Sequence, residues 1–201
     1  MSQIRAQLDE VETKLSQLHV RGAVIRTKDS ASPGDTVPDL TLLDEAGQPI
    51  TLGEIVANHR AVFIFYHGTW STRCAETLRR YQRELLPELA RRRVQLVGIS
   101  PQTPDGSQYT RDLNSLIFPL LSDIGNEFAS ALGIRDLVDP DPIDAIEMAR
   151  YAAKTRNSEG DWELPHPTTL ILDQTRTVHF IDVRLNDLPP THPKDILLEL
   201  G

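Results

Sequence analysis

Apolar and polar positions alternate with a few recurring periods along this chain, and each period predicts an element. Near the start, Ile4, Leu8, Val11, Leu15 and Leu18 are spaced four, three, four, three. That is an apolar seam at heptad spacing on one face of a short helix. Residues 1–27 therefore read as a helical arm, packed on its own domain or against a second copy. The segment KDSASPGD is rich in turn and breaker residues and separates the arm from a main domain spanning 34–201.

Beyond the breaker the pattern switches between strand and helix. DLTLLD and AGQPITL predict two short strands around a turn at Gly47, and LGEIVANH a brief helix. RAVFIFYH is a continuous apolar run rich in β formers, as expected of a strand buried on both faces. A helix follows from about Thr72 to Arg93, with Pro87 expected to kink or interrupt it. VQLVGIS is the next buried strand and SPQTPDG its turn. A helix around Gln108 to Leu116 leads to the short FPLLSD segment, and NEFASALG reads as a helix closed by Gly133. In DPDPIDAIEMARYAAKTR, Asp141 suits the N-cap, Pro142 the first helical position and Asp144 the first turn, with Lys154 and Arg156 at the far end. NSEGDWELPHP reads as a loop, TTLILD and TVHFIDV as a hairpin, and HPKDILLEL as a capped terminal helix. The order predicts a mixed α/β sheet with flanking helices, parallel in the middle and closed by an antiparallel hairpin.

Composition narrows the function classes. The 201 residues carry 21 Lys and Arg against 29 Asp and Glu, a net charge of −8 and a pI near 5.2. Neither nucleic acid nor an anionic membrane is the expected partner, because phosphate contacts need a basic footprint. The charge is nonetheless uneven: from Arg73 to Val94 there are seven Arg and three Glu, which reads as a solvated basic face. No run approaches the length of a membrane span, and the first twenty residues lack the apolar core of a secretory signal. One cysteine excludes an intrachain disulfide and makes a reducing, cytoplasmic compartment the expectation. The six histidines, at 19, 59, 67, 166, 179 and 192, show no close paired spacing, so neither a metal nor another cofactor is expected. No phosphate loop or dinucleotide glycine fingerprint is present.

The single cysteine, Cys74, lies in FIFYHGTWSTRCAETLRRYQ, where a buried strand turns into a helix. A helix start offers N–H groups without intrahelical partners and a partial positive charge. A thiol there has its thiolate stabilised, the usual route to a reactive cysteine, and Arg73 acts in the same sense if it turns inward. A buried structural cysteine is the other reading of the same position.

FYHGTWSTRCAETLRRYQ resembles the active-site segment of peroxiredoxin-like proteins of the AhpC/TSA group, which are thioredoxin-fold oxidoreductases. Many members have an aromatic-Arg-Gly-x-Trp-Cys-Pro-x-Cys motif there, followed by a Leu-Arg helix, and Trp70 stands at its tryptophan. The similarity continues through GDTVPDLTLLDEAGQPITL, LVGISPQTPDGS, FPLLSDIGNEFASALGI, WELPHPTTLILD and PKDILLEL, nearly everything from about Gly34 onward. The resemblance implies a thioredoxin-like fold and a thiol-dependent oxidoreductase or peroxidase, acting on a small hydroperoxide or disulfide.

Three departures from the group's pattern qualify that expectation. The leading cysteine of the motif falls on Ser71, so a two-thiol cycle is impossible. In peroxiredoxins proper the motif is Thr-x-x-Cys; on that reading Ser71 supplies a hydroxyl that orients thiol and peroxide, and Cys74 the attacking thiolate. Second, His67 stands where this subgroup usually has Arg, as a base or donor near the site or as a satisfied strand-end histidine. Third, the arginine that peroxiredoxins place on a later strand has no match close to His166-Pro167-Thr168, leaving Arg73 or another arginine brought in by folding. Pro167 matches the cis-proline of the fold, so a cis bond is expected there.

The leading expectation is a one-cysteine peroxidase resolved by an external thiol. The alternatives are a redox-inactive binding or scaffold protein, or an engineered Cys→Ser variant, at position 71, of a dithiol oxidoreductase. A homodimer is expected on analogy with the fold class.

Overall fold

In the central strand, Ala61–Phe65, every residue is buried, and successive side chains enter opposite cores. Phe63 and Phe65 join one apolar cluster; Val62, Ile64 and the following Tyr66 join the other. That two-residue period is the signature of a strand covered on both faces.

The computed structural model describes residues 30–137, 163–184 and 188–201. The expected arm over 1–27 and the expected helix over 141–156 lie outside the described residues. In chain order the elements are β1 (Thr41–Leu43), β2 (Pro49–Thr51), α1 (Leu52–Val56), β3 (Ala61–Phe65), α2 (Thr72–Glu84), α3 (Leu86–Arg91), β4 (Gln95–Ser100) and α4 (Pro104–Asn114). There follow β5 (Leu120–Ser122), a 3-10 turn (Ile124–Asn126), α5 (Glu127–Ala131), β6 (Arg135–Leu137), β7 (Glu163–Pro165), β8 (Thr168–Leu172), β9 (Val178–Val183) and α6 (Pro193–Leu200).

Seven strands form one sheet in the order β2-β1-β5-β4-β3-β8-β9. β3, β4 and β5 run parallel, and β8 and β9 close the sheet antiparallel, the arrangement expected from the sequence. One core lies between the sheet and α1 with α5, where Phe128 meets Phe63 and Phe65 edge-on at centroid separations of 5.7 and 5.0 Å. The other lies between the sheet and α2, α3 and α6.

Local chemistry explains most of the boundaries. Thr51 and Glu54 form a reciprocal capping box at α1. Pro87 divides the long helix into α2 and α3, because it has no N–H for the helical ladder. Gly133 (φ +64) closes α5: its N–H reaches Ser130 O and that of Ile134 reaches Ala129 O, both at 3.0 Å.

Three expectations need correction. α4 begins at Pro104, not near Gln108, because Thr103 caps it by accepting the Gly106 N–H and Pro104 occupies the first helical position. The segment read as a loop before Pro167 contains β7, paired antiparallel with β6; the partners are distant in sequence, and each is too short to show a period. The bond before Pro167 is trans, and there is no cis bond among the described residues. Trans is the preferred state even for X–Pro, and this segment is tied down by backbone bonds from His166 N–H to Ile134 O and from Arg184 N–H to Pro167 O, both 2.8 Å.

Candidate active site

The loop from β3 into α2 is shaped by its smallest residue. Gly68 adopts φ +154, and a Cβ there would lie 3.1 Å from Trp70 Nε1 and 3.2 Å from Gln102 Cδ. Only glycine fits this close approach. Thr69 is held from below: Gln102 Nε2 donates to its Oγ1 at 2.8 Å, Thr110 Oγ1 donates to Gln102 Oε1 at 3.0 Å, and the two threonine hydroxyls are in contact.

Ser71 ends the loop as the N-cap of α2. Its Oγ accepts the backbone N–H of Cys74 at 3.2 Å, and its carbonyl accepts that of Ala75 at 3.0 Å. Cys74 thus occupies the first turn of a 13-residue helix, where the helix dipole favours negative charge. Its side chain is buried, at 7% exposure.

A cavity of ≈ 40 Å³ opens beside Cys74. A water needs at least about 10–15 Å³ on this measure, so the space suits a few water-sized molecules or the head of a small hydroperoxide. Its walls come from the end of β3 (Ile64, Phe65, Tyr66), one face of α2 (Arg73, Cys74, Thr77, Leu78, Tyr81), the start of β8 (Pro167, Thr168, Thr169) and the segment after β9 (Arg184, Leu188, Pro190, Thr191). Cys74, Leu78 and Tyr81 share that helix face because they lie four and then three residues apart.

Arg184 is the residue that the pattern of the sequence did not reveal. Its Nε and Nη2 donate to Asp182 Oδ2 at 2.8 and 2.5 Å, and its side chain is only 17% exposed. Thr191 Oγ1 donates to the same oxygen at 2.8 Å, while Tyr81 Oη donates to Thr191 O at 2.6 Å. A chain of bonds therefore fixes the guanidinium on the far wall of the Cys74 cavity. Burial pushes the Tyr81 phenol up to about 12, against the pull of nearby Thr169 and Arg80. Burial also drives the Tyr66 phenol far above its ordinary range; Ser100 pulls it down and the Cys74 charge adds to the rise. The Tyr66 hydroxyl lies near Ser100, Thr110 and Ser107 without completing a hydrogen bond to any of them.

Of the residues singled out from sequence, the structure brings Cys74, Arg73 and Pro167 to one cavity, with Ser71 at the start of the same helix. His67 and Trp70 do not line it. Their rings stack on each other at 5.5 Å and 20°, both buried. Among the described residues no cluster of His, Cys, Asp and Glu has the form of a metal site, and no helix is long and apolar enough to cross a membrane.

Residues 33–181 match the family model described as the AhpC/TSA family. The chain belongs to the AhpC/TSA family. Relatives within this family include a protein named as a peroxiredoxin from Mycobacterium tuberculosis, 32% identical over 102 residues, covering 51% of this chain and 64% of the relative. A peroxiredoxin of Schizosaccharomyces pombe is 30% identical over 100 residues, covering 50% of this chain and 51% of the relative. The chain thus matches less than two thirds of the length of these relatives. Among solved structures, a peroxidoxin from M. tuberculosis superposes with a TM-score of 0.66 at 23% identity, over 84% of this chain and 95% of that one. The bacterioferritin comigratory protein of Xanthomonas campestris gives 0.64 at 18%, over 84% and 97%. The AhpC/TSA chain described here has the thioredoxin-like fold of these neighbours.

Proposed function

We propose that the chain is a one-cysteine thiol peroxidase with Cys74 as its nucleophile. The observation that carries this reading is the shared cavity: Cys74 at a helix N-terminus faces an arginine immobilised by Asp182. The helix start and the two arginines favour the thiolate, and the Arg184 guanidinium would hydrogen-bond the peroxide oxygens as charge develops on them. Thiolate sulfur attacks one peroxide oxygen, an S–O bond forms and the O–O bond breaks. The alkoxide leaves as an alcohol after taking a proton from solvent, and the sulfur becomes a sulfenic acid. An external thiol condenses with it, releasing water and forming a mixed disulfide; a second external thiol then attacks the sulfur of the first, joining the two in a disulfide and releasing the Cys74 thiolate. No second cysteine is available within the chain.

Ser71 acts in this reading as the cap that orients the first turn of α2, and its bond to the Cys74 N–H supports that role. His67 and Trp70 form the loop's apolar backing. Pro167 shapes the wall opposite the thiol. Stopped-flow measurement of peroxide consumption with a thiol reductant tests the proposal. The expected result is a saturable rate well above that of free cysteine, abolished in Cys74→Ser. A rate no greater than that of free cysteine would overturn it.

A further inference from the structure

The basic run over 73–94 contributes Arg73 to the Cys74 cavity, but its last members gather elsewhere. At the opposite ends of the parallel strands, where β3 and β4 begin, Asn58, His59 and Arg60 face Arg92 and Arg93, with Gln174 from the β8–β9 turn alongside. The cavity between them measures ≈ 390 Å³, within the roughly 300–1,000 Å³ typical of small-ligand sites.

The three cations here have unequal duties. Arg92 Nη1 donates to the Leu197 carbonyl at 3.2 Å and to Gly201 O at 2.8 Å, and so ties the end of α6 to that of α3; Leu200 and Gly201 also line the cavity. Arg60 and Arg93 make no ion pair or side-chain hydrogen bond with a described residue. Arg60 attracts the Asp173 carboxylate electrostatically without forming an ion pair with it. Asp173 Oδ1 already accepts from Thr175 N–H, Thr175 Oγ1 and Thr177 N–H at 2.7–2.9 Å. The acid on α3, Glu88, is paired with Arg91. Arg93 takes φ +56 just past α3, a position that glycine fills with least strain.

Two guanidiniums with no ion-pair partner among the described residues share one concavity, on a chain of net charge −8, and form a local anion trap. Planar guanidinium forks match phosphate oxygens bidentately, and the space exceeds what a lone phosphate fills. We propose that this cavity binds a small phosphate-bearing molecule, with Arg60 and Arg93 holding the phosphate and His59 beside them.

The test is isothermal titration of the full chain at low salt with inorganic pyrophosphate and with ATP. Saturable one-to-one binding is expected for at least one probe, weakened ten-fold or more by Arg60→Ala and by Arg93→Ala. Arg91→Ala, whose guanidinium belongs to Glu88, should leave it unchanged. Tighter binding of ATP than of pyrophosphate supports an organic phosphate ligand; equal binding supports recognition of the phosphate alone. Absence of saturable binding to both probes overturns the proposal, as does binding that survives in the double variant of Arg60 and Arg93. Because no readout involves Cys74, failure here leaves the peroxidase reading standing, and the reverse holds.

Discussion

At the C-terminal end of β3, Arg184 is held by a nearly buried aspartate whose oxygen also accepts a threonine hydroxyl. At the N-terminal end of the same strand, Arg60 and Arg93 line a wider cavity with no acid paired to them among the described residues. One end is narrow and lined by the thiol, while the other is wider and holds two arginines without an ion-pair partner among the described residues. The contrast places arginine in two different settings in one fold. Pinned in a small, apolar-walled space, it can direct charge at a single atom without reorganising. Left on an open rim, it attracts anions but imposes less geometry.

The sharpest way to break the comparison is to unpin the first arginine. Arg184→Ala should lower kcat/KM for peroxide by about 10²–10³-fold, the usual consequence of losing one transition-state donor. Arg184→Lys should recover part of the loss, mostly in kcat. Equal activity in all three proteins would show that the two ends do not differ in the way described.

Alkali offers a second, smaller lever. The Tyr81 phenol is pushed from 10.0 to about 12 by burial, so the folded state holds this proton more tightly than the unfolded chain. Its contribution is complete below pH 10 and is lost as the pH rises toward 12. The loss amounts to roughly 2–3 kcal/mol. Denaturant titrations across that interval should show the decline, and Tyr81→Phe should flatten it.

Ser71→Ala removes the cap that accepts the Cys74 N–H. It should cost about 1 kcal/mol of stability and shift the pH midpoint of Cys74 alkylation upward, toward the ~8.5 of an ordinary thiol. Ser71→Asn, which restores a capping oxygen, should reverse most of both effects. At the other end, Arg60→Ala and Arg93→Ala should each change stability by no more than about 0.5 kcal/mol and leave peroxide consumption intact. A larger loss would mean that those guanidiniums carry structural bonds after all.

How much of this was legible beforehand differs from residue to residue. The continuous apolar run at Ala61–Phe65 could only be a doubly covered strand, and the Ser71–Cys74 spacing placed a hydroxyl and a thiol in one helical turn. Arg184 was not legible. It lies 110 positions from Cys74 in a polar stretch, and it comes to the same cavity only because β9 and α2 both pack around β8 and β3. The β6–β7 pair was hidden for a similar reason, since a three-residue strand has no period of its own and its partner is remote.

Periodicity, caps and breakers are local in the chain, so the sequence sufficed for the sheet's central strands, the helix start at Ser71 and the position of the cysteine on it. Which later arginine joins that cysteine's cavity, and which two gather at the opposite end of the strand, depend on contacts between segments far apart in the chain. Those contacts follow from strand order and from the burial of Asp182 beside Arg184, properties that arise only when the layers pack.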